Sequence, residues 1–334
     1  MRFGLGLAVQ HAPDDDQAAR FREHLEQVRV ARDVGFSAVW ASQHFLSQPF
    51  TYFQPIPTLA RLAADAGEMT LGTGILLLPL FQPLDVAEQM ATLDVITGGR
   101  TILGVGLGYR DEENAAFGVD PRTRVGRLVE GVEIIERLWM GEPVSYEGRH
   151  YQLRDVRLSL RPPQRPRPRI WVAANTDAGV KRAAKLGDAW LMNPHTTLPS
   201  LARQLALFHE ARAALGRPRA VDIPLIKECV VADTTATALA DARPYLEAKY
   251  RAYQQWQQDK ALPEGETFDL SFEDLARDRF IVGDPARAVD EIQRYQATLG
   301  VTELSFRVQW PGMPQAMVLR TIKLLGEKVL PKLR

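Results

Sequence analysis

The chain of 334 residues is 46% apolar and 25% charged, and its 41 basic and 41 acidic side chains give a formal net charge of zero. This length can bury one large core, and the balanced charge argues against a nucleic-acid or anionic-membrane partner. The single cysteine, Cys229, excludes an intramolecular disulfide and a cysteine-ligated zinc site. Because no apolar run is long enough to span a membrane and the N-terminus carries no signal-peptide pattern, we expect a cytoplasmic protein.

Apolar runs alternate with segments of helical periodicity along most of the chain. Strands are predicted at residues 2–9, 36–42, 71–80, 101–107, 169–173, 189–192, 223–231 and 303–308. The strand segments lack polar alternation, which is typical of parallel strands that are covered on both faces. Eight strands alternating with helices predict one (β/α)8 TIM barrel, in a single domain that spans residues 1–334.

Two segments interrupt this alternation. Residues 144–168 combine a predicted β-hairpin with a proline-rich connector before the fifth strand, and residues 234–279 form a longer, helix-rich insertion before the eighth. The polar stretch 254–278 within the second insertion fits either a substrate lid or a disordered excursion.

A glycine at every second position marks the end of the fourth predicted strand. Gly104, Gly106 and Gly108 leave one face of the strand without side chains, so a flat molecule can lie close to the backbone. The pattern is a poor dinucleotide fingerprint, because Tyr109 replaces the next glycine and the acidic residues 111–113 repel a pyrophosphate.

In such barrels the active site lies at the carboxyl ends of the strands. The residues there include few carboxylates, no metal-ligand pattern and no nucleophile elbow, so we expect no metal site and no hydrolase. Glycine-rich backbone, aromatic rings and histidines suit a flat cofactor that brings its own chemistry. These strand-end residues are Gln10, His11, Gln43, His44, 73–75, 106–110, 174–176, Asn193, His195, Gln309 and Trp310.

The chain resembles the bacterial luciferase-like family of flavin-dependent monooxygenases, which also includes reductases that use a 5-deazaflavin. The similarity covers nearly the whole chain. It rests on WASQHF at 40–45, GTGILLLP at 72–79, LDVITGGR at 93–100, GVGLGY at 104–109 and VAANTDAG at 172–179. The resemblance implies the TIM-barrel fold and a homodimer.

The resemblance also implies roles for individual residues. His44 matches the histidine that acts as a general acid or base beside the flavin. Many members carry a glutamate directly before it, whereas this chain has Gln43 and lacks that nearby charge. The segment 73–75 matches a bulge, often a non-proline cis peptide, that lies behind the flavin ring. The cofactor-binding residues are predicted to be Ser42, Thr73, Gly74, Ile75, Gly106, Gly108, Tyr109, Asn175, Thr176 and Gly179.

The function implied is oxygenation of a small organic substrate with O₂ and reduced FMN, which a separate NAD(P)H-dependent flavin reductase supplies. A first alternative is a reductase or dehydrogenase that transfers a hydride with a 5-deazaflavin. A second is a non-catalytic flavin-binding protein, against which the intact His44 speaks. The last is an unrelated barrel lyase or aldolase, for which Lys227 would have to form a Schiff base.

Overall fold

The computed structural model describes residues 1–256, 258, 262–263 and 265–333. Its strands are, in chain order, β1 (Arg2–Leu7), β2 (Gln10–His11), β3 (Ala38–Ala41), β4 (Thr51–Tyr52), β5 (Thr70–Thr73), β6 (Thr101–Val105), β7 (Val144–Glu147), β8 (Gln152–Val156), β9 (Arg169–Ala173), β10 (Ala189–Leu191), β11 (Pro224–Val231), β12 (Phe280–Gly283) and β13 (Glu303–Arg307). The helices are α1 (Gln17–Asp33), α2 (Pro55–Ala66), α3 (Pro83–Ile96), α4 (Asp111–Ala116), α5 (Arg124–Met140), α6 (Asp177–Leu186), α7 (Leu198–Ala214), α8 (Thr235–Gln255), α9 (Phe272–Ala276), α10 (Pro285–Leu299) and α11 (Gln315–Leu324).

Nine strands form one parallel sheet in the order β10-β9-β6-β5-β3-β1-β13-β11-β12. The sheet curls, because the Met192 N–H that follows β10 donates to the Pro224 carbonyl of β11 at 3.1 Å, and the Ile226 N–H returns to the Met192 carbonyl at 3.1 Å. All eight residues of β11 are buried, as expected for a strand covered on both faces. The predicted α/β fold with a curled parallel sheet is therefore confirmed.

Helix boundaries follow from local capping chemistry. The Asp284 side chain accepts from the N–H groups of Ala286 and Arg287, and Pro285 occupies the first helical position of α10. Among the described residues, no helix is both long and apolar enough to cross a membrane.

The predicted strand at 71–80 is too long. β5 ends at Thr73, the peptide between Gly74 and Ile75 is cis, and Leu78–Leu80 form a 3₁₀ turn. After the cis peptide the chain pairs with β6 once more, at Leu76 and Val105, and then leaves the sheet, where the Leu77 N–H donates to the side chain of Gln43 at 2.8 Å.

The strand β12 was missed by the sequence analysis. It pairs in parallel with Glu228–Val231, the second half of β11, whose first half pairs with β13. Four residues that end in Gly283, directly before a helix cap, give too short a pattern to separate from a loop.

The two interrupting segments contain the antiparallel hairpin β7–β8 and the helices α8 and α9. The interpretations of 254–278 as a lid or a disordered excursion fall partly outside the described residues, which omit 257, 259–261 and 264. The single-domain assignment stays a prediction.

Candidate active site

A cavity of about 390 Å³ lies at the carboxyl ends of the parallel strands. Loops after β3, β5, β6 and β9 form most of one side, where the sequence placed its candidates. Ten predicted site residues line it, namely Ser42, His44, Gly74, Ile75, Gly106, Gly108, Tyr109, Asn175, Thr176 and Gly179. The structure thus brings together residues that are up to 137 positions apart between Ser42 and Gly179.

Of the eleven residues predicted to act in catalysis or bind the cofactor, Thr73 is the one that does not line the cavity. Its buried hydroxyl donates to the Gly104 carbonyl at 2.7 Å and accepts from the Gly104 N–H at 2.9 Å. A Cβ at Gly104 would overlap the backbone oxygen of Thr73. The glycine at 104 therefore makes room for the neighbouring strand, and the expectation that this position is open to a flat ligand is wrong. Gly106, two residues further along the chain, does line the cavity.

His44 forms a pair with a carboxylate from another element. Its Nδ1 lies 3.0 Å from Oε1 of Glu113, a side chain on α4 that is 1% exposed. The same oxygen accepts from the Phe45 N–H at 2.8 Å, which fixes the carboxylate in place. When Nδ1–H donates to Glu113, the lone pair of His44 is on Nε2, the nitrogen that can accept a proton.

The sequence analysis missed Glu113 as a site residue and treated it as part of an acidic run. Its signal was present: the run opens a helix directly after a strand-end segment, and a first-turn side chain can point back towards the neighbouring strand end. The negative charge that Gln43 cannot provide beside His44 comes from Glu113 instead.

Gln43 has a structural part in the site. Its Oε1 accepts from the Leu77 N–H at 2.8 Å, and its Nε2 donates to Oε1 of Gln54 at 2.9 Å. The Gln54 amide in turn donates to the His44 carbonyl at 3.0 Å. The first bond joins the loop after β3 to the segment after the cis peptide, and the other two join that loop to the start of α2.

The amino end of α6 opens onto the cavity. Thr176 caps the helix by accepting from the Gly179 N–H at 3.2 Å, and Oδ1 of Asn175 accepts from the Asn193 side chain at 2.8 Å. Arg182 lies further along α6, lines the same cavity and, among the described residues, makes no hydrogen bond or ion pair. Burial lowers its pKa. A helix amino terminus beside an unpaired guanidinium suits a phosphate.

The cavity is electropositive. Arg124, Arg182 and Arg307 line it, whereas no aspartate or glutamate does among the residues that the structure describes. Such a lining attracts anions. Arg124 and Arg307 were not candidates from the sequence, although Arg307 ends a strand and satisfies the same strand-end rule as the others.

Of the remaining histidine and lysine candidates, one lines the cavity and two do not. His195 lines the cavity, and burial, together with nearby Lys249, holds its pKa well below the ordinary value, so the ring is neutral. His11 does not line the cavity and bonds His24 instead, with 2.9 Å between the two Nε2 atoms. Lys227 is also outside the lining and donates to the Thr196 carbonyl at 2.9 Å, which leaves a Schiff-base role without support.

The residues present fit a flavin mononucleotide. Arg182 and the α6 terminus provide a partner for its phosphate, and the wall at Gly106 and Gly108 lets a planar ring approach the backbone. Within the described part of the chain, no cluster of three or more His, Cys, Asp or Glu side chains could hold a metal ion. The site is that of an oxidoreductase that borrows the reactivity of an organic cofactor.

Comparison with known proteins agrees with this class. The family model for the luciferase-like monooxygenases matches residues 1–303, and the chain belongs to that family. The family resemblance inferred from the sequence motifs is confirmed. Its members include flavin-dependent monooxygenases and F420-dependent dehydrogenases.

Three relatives illustrate the range. The crystal structure of the monooxygenase RslO1 from Streptomyces bottropensis superposes with a TM-score of 0.89 at 27% identity, with full coverage of both chains. The oxygenase component of a flavin-dependent trigonelline monooxygenase from Acinetobacter baylyi is 25% identical over 99% of this chain and 95% of its own. An F420-dependent glucose-6-phosphate dehydrogenase from Kineococcus radiotolerans is 30% identical, with 91% of this chain and 90% of its own covered.

Proposed function

We propose that this protein is the oxygenase component of a two-component monooxygenase, which uses reduced FMN and O₂ to oxygenate a small organic substrate. When bound, reduced FMN supplies the electrons that activate O₂. The observation that carries the proposal is the cavity itself, whose lining holds the α6 amino terminus, the Arg182 side chain further along that helix, which is unpaired among the described residues, and His44 bound to a carboxylate. In this proposal, the curled sheet, whose β10 and β11 sides meet at the hydrogen bonds of Met192, is the predicted eight-stranded barrel.

The chain's own residues have three tasks. Asn175, Thr176 and Arg182 hold the phosphate, since the helix amino terminus and the guanidinium both favour negative charge. The backbone around Gly74 and Gly106 supports the ring. His44 holds or moves a proton at Nε2, while Glu113 at Nδ1 keeps the imidazole in that orientation and tautomer.

The proposal involves two protein partners, a flavin reductase and a second copy of this chain. The glycine pattern at Gly104–Gly108 is not a dinucleotide fingerprint, so oxidation of NAD(P)H is assigned to a separate flavin reductase. The relative from Acinetobacter baylyi, itself named as an oxygenase component, supports this division. A cytoplasmic homodimer remains our expectation for the assembled protein.

A second candidate is hydride transfer with the 5-deazaflavin F420, without O₂. It is favoured by the identity to F420-dependent glucose-6-phosphate dehydrogenases, which reaches 31% over 91% of this chain for the enzyme from Microbacterium testaceum. The same histidine and the same phosphate site serve either cofactor, so a direct comparison of the two is the decisive test.

The test is an anaerobic titration of the purified protein with FMN, reduced FMN and F420, followed by absorbance spectra before and after O₂ is added. We expect reduced FMN to bind best, and Arg182→Gln to weaken it about 10- to 100-fold, because a charge-assisted bond to the phosphate is lost. Arg287→Gln, on the exposed face of α10, is the control and leaves affinity unchanged.

Tighter binding of F420 than of reduced FMN would instead assign hydride transfer to this protein. Binding of FMN without any O₂-dependent reoxidation that differs from free flavin would indicate a non-catalytic flavin-binding protein. Binding of none of the three cofactors would reject the flavin hypothesis.

A further inference from the structure

Arg307 is a cavity cation that the protein does not pair with a carboxylate. It is the last residue of β13, its side chain lines the cavity, and its Nε is removed from solvent without a hydrogen-bond partner among the described residues. No aspartate or glutamate in the described part of the chain forms an ion pair with it. Charges are rarely left in this way, because desolvation without a counter-charge is costly.

The neighbouring cations are already neutralised. Lys249 forms an ion pair with buried Glu228, and Arg279 does so with Glu266 at 2.5 Å. The groups that face Arg307 from β4 and α8 are instead the phenols of Tyr52 and Tyr253. Glu228 lies beside Arg307 in the sheet register but forms its ion pair with Lys249. Arg307, which hydrogen-bonds Tyr253, therefore lines the cavity without a carboxylate ion-pair partner of its own among the described residues.

This charge lies on a different wall from the phosphate site. Arg182 belongs to the helix after β9, whereas Arg307 ends β13, and the strands β10 and β11 lie between the two. With neighbouring strands about 4.8 Å apart, three spacings separate the two strand ends by on the order of 14 Å along the sheet. The cavity thus has places for two anionic groups, one at Arg182 and one at Arg307. A single phosphate uses only the place at Arg182.

Aromatic rings surround the space beside His44. The ring of Tyr52 lies 5.5 Å from the imidazole, that of Tyr109 at 5.7 Å and that of Trp256 at 6.0 Å, measured between centroids. Tyr253 stacks on Trp256 at 5.7 Å. Tyr52 thus contacts the histidine and also faces Arg307, which connects the reactive histidine to the unpaired cation along one aromatic wall.

We propose that Arg307, flanked by Tyr52 and Tyr253, binds the carboxylate of the organic substrate, and that the substrates are small aromatic carboxylates. This inference rests on the proposed function, because it names the substrate class of the same cavity. A guanidinium presents a planar fork that matches the two oxygens of a carboxylate, and the phenols can donate to the same oxygens. The surrounding rings accommodate a planar apolar body next to His44.

The experiment uses the full chain and two probes of nearly equal shape, 4-fluorobenzoate and its neutral analogue 4-fluorobenzamide. Their binding is followed by fluorine NMR titration, with and without saturating FMN. We expect wild-type protein to bind the carboxylate at least tenfold more tightly than the amide. Arg307→Gln should remove that preference, and Arg307→Lys should retain part of it, since the charge stays but the fork is lost.

Arg182→Gln is the matched control, an arginine on the opposite wall of the same cavity. It should weaken FMN binding, while the preference for the carboxylate, measured at an FMN concentration that saturates the variant, stays within twofold of wild type. Thermal melting of each variant verifies folding, and Arg307→Gln should not lower the melting temperature, because it removes an unpaired buried charge.

Equal binding of the two probes by wild-type protein would overturn the proposal. So would an Arg307→Gln variant that keeps the preference, or one that loses FMN affinity instead, which would make Arg307 a contact of the flavin. If FMN fails to bind while the carboxylate preference persists and depends on Arg307, the proposed function falls and the carboxylate site stands.

Discussion

At the scale of single residues, the site depends on contacts between side chains that are distant in the chain. His44 and Glu113 are 69 positions apart and meet at 3.0 Å. The carboxylate is buried, and a backbone N–H holds the oxygen that faces the ring. This arrangement selects one tautomer of the imidazole and one orientation, as carboxylate partners do for catalytic histidines in general.

We predict that in Glu113→Gln the imidazole of His44 is no longer held in a single tautomer. A glutamine amide can present either its oxygen or its NH₂ to Nδ1, so the ring no longer keeps Nδ1–H alone. Nitrogen-15 NMR should show Nδ1–H in wild type and a mixture in the variant. Turnover should fall about tenfold, against about 10²- to 10⁴-fold for His44→Ala.

The neighbouring carboxylate provides the control for that experiment. Glu112 pairs with Arg110 and its side chain is 73% exposed, so Glu112→Gln should change neither the tautomer nor turnover. An unchanged His44 spectrum in Glu113→Gln would contradict the assigned orientation.

At the scale of elements, the amino terminus of α6 combines a structural cap with a ligand site. Thr176 accepts from the Gly179 N–H, and Asn175, Thr176 and Gly179 at the start of the helix line the cavity. The helix α8 begins in the same way, with Thr234 accepting from the Thr237 N–H at 3.1 Å, but its start does not line the cavity. The two caps are chemically alike and differ in location.

This pair allows capping to be separated from binding. Thr176→Ala and Thr234→Ala should each lower the free energy of unfolding by about 1 kcal/mol, the usual value of a threonine cap. Only Thr176→Ala should also weaken FMN, by roughly tenfold, in a fluorescence titration. Equal FMN affinities in the two variants would show that the α6 terminus does not hold the phosphate.

At the scale of the whole molecule, buried polar groups outside the site couple stability to pH. His11 and His24 are 2% and 0% exposed and share one hydrogen bond. Burial lowers the pKa of His11 to about 4 and that of His24 to about 3. In the unfolded chain both titrate near 6.5. Their contribution to stability is complete above that pH and is lost as the pH falls towards their folded values, because only the unfolded chain takes up the protons.

We therefore predict that His24→Gln flattens the acid side of the stability curve. Between pH 7.5 and 4.5, the wild-type free energy of unfolding should fall by about 2–3 kcal/mol more than that of the variant, since one pKa unit corresponds to about 1.4 kcal/mol. Urea denaturation at the two pH values measures the difference. Parallel losses in both proteins would place the pH dependence elsewhere.

The sequence by itself determined the order of strands and helices and the list of residues at the strand ends. Both are local properties, because a continuous apolar run or a helical period is visible in ten neighbouring residues. The strand at 169–173 was predicted to the residue. Ten of the eleven named site residues then lined one cavity because parallel strands present their carboxyl ends at one edge.

The tertiary structure decided what each of these residues faces. The glycine at 104 accommodates Thr73 rather than a ligand, Glu113 reaches His44 from a separate helix, and Arg307 meets the phenol of Tyr253. None of these relations has a local pattern, because each joins segments that the chain separates by tens of residues. Strand pairing in the parallel sheet, together with the packing of the helices and loops at its carboxyl edge, brings such segments within hydrogen-bonding distance.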